Sequence, residues 1–136
     1  MSKEKVITLV IMLVICSAGC HPTINREEVI GVYAVKYPYG TEQLKLMQDG
    51  NYEQMFALTG QAMQLINNGK WELRSLDGLQ LILNDPVIVD DGFGRLSKSL
   101  VKKESSIWPL YIKKSITGKI SFPINEDQGF VFKKVQ

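Results

Sequence analysis

Cys16 and Cys20 are the only cysteines in the chain, and His21, beside the second, is the only histidine. Two sulfurs four positions apart can form a disulfide, share a metal, or carry a covalent group. A second set of chemistry-bearing residues is Asp85, Asp90 and Asp91, followed by Gly92 and Gly94. Clustered carboxylates beside glycine can hold Ca²⁺, but this spacing fits no EF-hand loop, and a solvated loop accounts for the residues equally well. Gly92-Phe93-Gly94 with Ser97 is half of a dinucleotide-binding fingerprint; the third glycine and the strand-to-helix context are missing. The chain has no Gly-x-Ser-x-Gly elbow, and nothing singles out a carboxylate pair for glycoside cleavage.

The surroundings of the cysteines decide between the sulfur chemistries. Lys3 and Lys5 precede the uncharged run VITLVIMLVIC (6–16), and the small residues Ser17, Ala18 and Gly19 follow it. A basic region, an apolar region and a small-residue cleavage zone form a secretory signal peptide. The run is shorter than the roughly 20 residues a membrane-spanning helix needs. Ser17-Ala18-Gly19-Cys20 resembles the lipobox of bacterial lipoproteins, with Ser17 where leucine is usual. Cys16 fits worse, because bulky Ile15 stands before it. The resemblance implies that Cys16 leaves with a signal peptide of residues 1–19 and that Cys20 becomes the lipidated first residue. No thiol then remains, and zinc sites or Cys–His catalysis lack ligands. The expectation is a protein that is not an enzyme, with no cofactor and no metal, joined to its membrane through lipid on Cys20.

Residues 20–27 read as a short polar tether, with His21 and Pro22 in it, and residues 28–136 as a single domain. The net charge of +2 at pH 7 points to no nucleic-acid partner. Lys102, Lys103, Lys113 and Lys114 are close in sequence and could rest on anionic headgroups; a solvated loop and strand end is the plainer reading.

The elements of the domain follow from its turns. Asp49-Gly50, Thr59-Gly60, Asn68-Gly69 and Asp77-Gly78 recur every nine or ten residues. Such pairs suit two-residue hairpins, and their regular recurrence marks an antiparallel meander. Between them the apolar residues alternate: Leu44 and Leu46; Tyr52, Gln54, Phe56 and Leu58, imperfectly apolar; Trp71 and Leu73; Leu79, Leu81 and Leu83. Asn25 with Glu28 predicts a capped helical turn, followed by a first strand over 28–37. Residues 84–106 read as a loop with a short helix near 96–103. Strands return at 108–114, 118–124 and 129–135, with Pro123 at an edge or a bulge. The prediction is an all-β fold of about eight strands closing into a small barrel, with a two-sheet sandwich as the alternative.

Gly31-Val32-Tyr33 on the first strand resembles the Gly-x-Trp that opens lipocalin barrels, with Tyr in place of Trp. Lys133 and Lys134 stand where that family places an arginine over the aromatic. The runs Asp49-Gly50-Asn51-Tyr52 and Gly69-Lys70-Trp71, and the ending GKISFPINEDQGFVFKK, are similar to those of small bacterial lipoproteins with no assigned activity. The resemblance implies a lipocalin-like barrel in the cell envelope. In a host with two membranes, His21 in place of the aspartate of inner-membrane retention implies the periplasmic side of the outer membrane.

Two functions follow. In the first, a noncatalytic anchored barrel holds a small apolar ligand or lipid, with Tyr33, Tyr52, Phe56 and Trp71 as its walls. In the alternative, the domain binds an envelope or incoming protein, as immunity and inhibitor lipoproteins do. Phe93 and Trp108, in and after the 85–107 segment, are then the contact residues. A cavity of several hundred Å³ with apolar walls favours the first, and a filled core with an exposed apolar loop favours the second.

Overall fold

The computed structural model describes residues 23–136. The expected signal peptide, Cys16, Cys20 and His21 lie outside the described residues. The first element is the single helical turn α1 (Arg26–Val29), whose N-cap Asn25 accepts a hydrogen bond from the Glu28 N–H at 3.1 Å. This side-chain oxygen satisfies one of the unpaired donors at the start of a helix.

Alternation of apolar and polar residues then drives a chain of antiparallel strands: β1 (Gly31–Tyr37), β2 (Gly40–Leu46), β3 (Asn51–Leu58), β4 (Gln64–Leu76), β5 (Gly78–Asn84), β6 (Ile107–Tyr111), β7 (Lys113–Lys114), β8 (Ile120–Asn125) and β9 (Phe130–Lys134). They form one sheet in the order β6-β5-β4-β3-β2-β1-β9-β8-β7. β6 and β7 are one run of chain interrupted at Ile112. Its first part pairs with β5 and its last two residues pair with β8. That shared run draws the two sheet edges together into a nearly closed barrel, lipocalin-like in fold. Closure removes the free edges that an open meander would expose.

Two local expectations change. Asn68-Gly69 is not a turn: it lies inside β4, which pairs with β3 through Lys70 and with β5 from Trp71 onward. Gly69 is needed for close approach, since a Cβ there would lie 2.7 Å from the Asn84 carbonyl oxygen and 2.8 Å from the Tyr52 ring. No helix forms near 96–103; this segment is irregular, and an isolated bridge joins Leu96 to Asp90. Pro123 lies, as expected, at a bulge: the register between β8 and β9 shifts between Pro123 and Asn125.

The interior is filled. Tyr33, Leu44, Leu46, Tyr52, Leu81, Leu83, Leu110, Phe122 and Phe132 are all buried in one apolar cluster. Each such side chain contributes about 1.5–3 kcal/mol by leaving water. α1 lies across one end. The Tyr33 hydroxyl donates to the Val29 carbonyl at 2.7 Å, and Arg26 stacks 4.1 Å from the Trp71 ring centroid. Of the two late lysines, Lys134 is the one over Tyr33, 5.7 Å from its ring, and its Nζ donates to the Glu28 carbonyl at 2.9 Å. Strand direction places the β4–β5 and β7–β8 tips and the C-terminal residues at this same end. The β1–β2 turn and the 85–106 segment lie at the other. Among the described residues, no helix is long and apolar enough to cross a membrane.

Candidate functional site

The 85–106 segment is the longest connection in the barrel, and a buried polar cluster ties it down. Gln54, on the inward face of β3, treats Val87 as a strand would. Its Nε2 donates to the Val87 carbonyl and its Oε1 accepts from the Val87 N–H, both at 2.9 Å. The same Nε2 donates to Glu42 Oε1 at 3.0 Å, and Asn67 Nδ2 donates to Gln54 Oε1 at 2.9 Å. The Tyr37 hydroxyl donates to Glu42 Oε2 at 2.9 Å. Val87 and Val89 are thereby held fully buried across the barrel mouth.

Glu42 is completely buried. Burial pushes its carboxyl up to about 7; the hydrogen bonds from Tyr37 and Gln54 oppose that rise, and the nearby Asp90 adds to it. Burial likewise raises the Tyr37 hydroxyl far above the usual tyrosine range, with Glu42 adding to the effect. Tyr52 is pushed up to about 12, again mainly by burial. Tyr39 stacks on Tyr37 with ring centroids 5.1 Å apart and donates to Asp90 Oδ2 at 2.8 Å.

Beyond this plug the chain makes a small, internally bonded hairpin. Asp91 N–H donates to the Arg95 carbonyl at 2.9 Å, and Ser97 N–H to the Val89 carbonyl at 2.8 Å. Asp90 Oδ1 accepts from the Gly92 N–H at 2.8 Å and the Gly94 N–H at 3.2 Å. Asp91 Oδ1 accepts from Phe93 N–H at 2.8 Å, and its Oδ2 pairs with Arg95 Nε at 2.9 Å. Desolvation raises the Asp91 carboxyl, but these donors outweigh it and hold the group below the ordinary range. Gly92 and Gly94 have φ of 90° and 74°, a region closed to most side chains. At the apex stands Phe93, 73% exposed, with the Arg95 guanidinium 5.6 Å from its ring centroid.

The expected site residues fall into different places. Tyr33, Tyr52, Phe56 and Trp71 point inward but pack into the filled interior. Their polar atoms are spent on structure: the Tyr52 hydroxyl donates to the Asn84 carbonyl at 2.7 Å, and Trp71 Nε1 to the Met47 carbonyl at 2.9 Å. Tyr52 also borders an open cleft of about 530 Å³ shared with Glu53, Lys70 and Lys102. Phe93 is at the loop tip. Trp108 is half-buried at the loop's foot, its ring against Phe132, in a recess of about 250 Å³ with Tyr37, Asp90 and Gly92. Asp85 is apart from Asp90 and Asp91 in role, its Oδ1 accepting from Ser105 N–H at 2.7 Å. Among the described residues no three carboxylate, His or Cys side chains gather in a way that could hold a metal. The lysine cluster divides: Lys102 donates to the Asn68 carbonyl at the loop, while Lys113 and Lys114 pair with Glu126 and Glu28.

Glu42, Asn67 and Tyr39 were not legible as site residues. Gln54 carried a signal: it is the polar interruption on an otherwise apolar strand face. No protein-family model, curated protein or solved structure matches the chain.

Proposed function

We propose that the chain is a noncatalytic envelope lipoprotein, anchored through Cys20, whose barrel presents the 89–97 hairpin to a protein partner. One observation carries the choice between the two expected functions. The barrel interior is occupied by its own side chains and by Val87 and Val89, while Phe93 is held out in water on a loop fixed by Asp90 and Asp91. A preorganised exposed aromatic is the form of an interface anchor, because little freedom is left to lose on binding. The apolar-ligand reading needs a cavity, and the aromatic residues assigned to its walls are packed into the buried cluster, Tyr33 against Phe122 and Phe56 against Tyr39. The anchor reading rests on the residues around Cys20.

The test replaces Phe93 by a photoreactive phenylalanine analogue in the intact lipoprotein and maps crosslinks in the native envelope. A discrete protein adduct at position 93, absent with the analogue at exposed Tyr111 and lost with Phe93→Asp, supports the reading. Native mass spectrometry showing a retained small molecule, with no adduct at position 93, returns the assignment to the ligand carrier.

A further inference from the structure

We propose that the end of the barrel carrying α1 docks on an anionic lipid bilayer, with Ile116 at the interface and Lys119 and Lys133 on headgroup phosphates. The inference rests on the anchored reading above. Three residue steps separate a lipidated Cys20 from Thr23, and even fully extended they reach only about 10 Å. The end from which α1 starts therefore cannot leave the headgroup zone. The opposite end, with Phe93, faces away.

The chemistry of the near end suits that position. Ile116, at the tip of the β7–β8 hairpin, is fully exposed, and Val135 beside the last strand is more than half exposed. Lys119, Lys133 and Lys134 line an open groove of about 830 Å³ next to them. Glu28 is the one acidic side chain lining that groove, and Lys114 already holds it at 2.7 Å. Lys134 is engaged by the Glu28 carbonyl and the Tyr33 ring. Lys119 and Lys133 form no ion pair with another described residue, so their charge is free for a surface. An apolar tip flanked by lysines matches a bilayer interface: the side chain enters the headgroup boundary and the ammonium groups meet phosphate. Glu27, Asp49 and Asp77 lie toward the same end.

The experiment uses the processed full chain, purified from a bacterial envelope and reconstituted into vesicles. One set contains phosphatidylethanolamine with phosphatidylglycerol, the other phosphatidylcholine alone. A single environment-sensitive fluorophore is placed at Ile116→Cys, or at Phe93→Cys as the water-facing control. In anionic vesicles the Ile116 label is expected to shift to the blue and to be quenched by spin-labelled lipid, while the Phe93 label stays aqueous. Lys119→Glu combined with Lys133→Glu weakens docking by about 25-fold or more, at roughly fivefold per lysine near an anionic surface. Chain that floats with the vesicles while its Ile116 label stays as aqueous as the Phe93 label overturns the docking and spares the anchor. Equal docking on phosphatidylcholine overturns the anionic specificity. Chain that fails to float overturns the anchored reading, and the docking with it.

Discussion

The Tyr37 hydroxyl donates to Glu42 Oε2 at 2.9 Å inside the barrel, and so places an ionisable acid at zero exposure among aromatic rings. The opposite carboxylate oxygen is taken by Gln54, which in turn binds Val87. The charge state of Glu42 and the seating of the 85–106 segment are therefore one hydrogen-bond system. Paired donors keep the charged form tolerable, and burial still favours the neutral one.

Stability should fall as pH rises through neutrality. Glu42 titrates near 7 in the folded chain, against about 4.5 when unfolded. The folded state binds the extra proton between those values. Its contribution is full below the unfolded value and is lost as pH climbs through about 7. The expected loss is about 3 kcal/mol. Glu42→Gln mimics the protonated acid: its amide can donate to the Tyr37 oxygen and accept from Gln54. Urea unfolding of this variant from pH 4 to 8 should lack the downward slope and leave it more stable than the native chain at pH 8. An unchanged slope assigns the pH dependence to another group.

Gly69→Ala should destabilise the barrel by about 1–3 kcal/mol, through overpacking against the Asn84 carbonyl and the Tyr52 ring. Gly69 has no positive φ to lose, so the cost is steric. Lys70→Ala, at the next and exposed position of the same strand, is the control and should change little. Denaturant midpoints of the two variants make the comparison. Equal midpoints would mean that the strands part easily at Gly69 and that close approach there is not required.

Alternation made most of the strands legible, because Leu44 and Leu46, Tyr52 and Phe56, and Leu81 and Leu83 all fill the interior as their period requires. Asn68-Gly69 misled because turn chemistry and close packing select the same residue, and sequence alone does not separate them. The polar cluster escaped because its members come from distant places. Gln54 and Val87 are 33 residues apart, and only the barrel's closure brings them together. The 89–97 hairpin escaped for a different reason. Asp90, Asp91, Gly92 and Gly94 read as a generic loop until their carboxylates are seen capping its N–H groups.

Gln54→Leu should unseat the 85–106 segment without collapsing the barrel. The substitution keeps volume but leaves both backbone groups of Val87 and Glu42 Oε1 without their Gln54 partner, while Asn67 keeps the Asp85 carbonyl. Each buried group left unsatisfied costs about 1–3 kcal/mol. Amide exchange should speed up at Val87 and Val89 while β1 and β2 stay protected. Uniform loss of protection across all strands would make Gln54 a general core residue.

Cys20→Ala should abolish incorporation of labelled palmitate, whereas Cys16→Ala should leave it intact. Several acyl chains on one residue hold far more firmly than the single chain that gives only marginal binding. Label retained after Cys20→Ala would assign the lipid to a different residue and withdraw the anchor from this position.

Phe93→Ala and Val89→Ala should separate the tip of the loop from its foot. Phe93 is mostly in water, whereas Val89 is fully buried in the mouth of the barrel. The first change should alter unfolding free energy by no more than about 0.5 kcal/mol. The second should cost about 2 kcal/mol, since it empties packed volume that the surrounding strands only partly reclaim. Partner binding, measured on the same two proteins, should show the reverse order: lost with Phe93→Ala and retained by whatever fraction of Val89→Ala is folded. A large stability loss at Phe93 would place that ring in the core of the molecule and remove it as a contact residue.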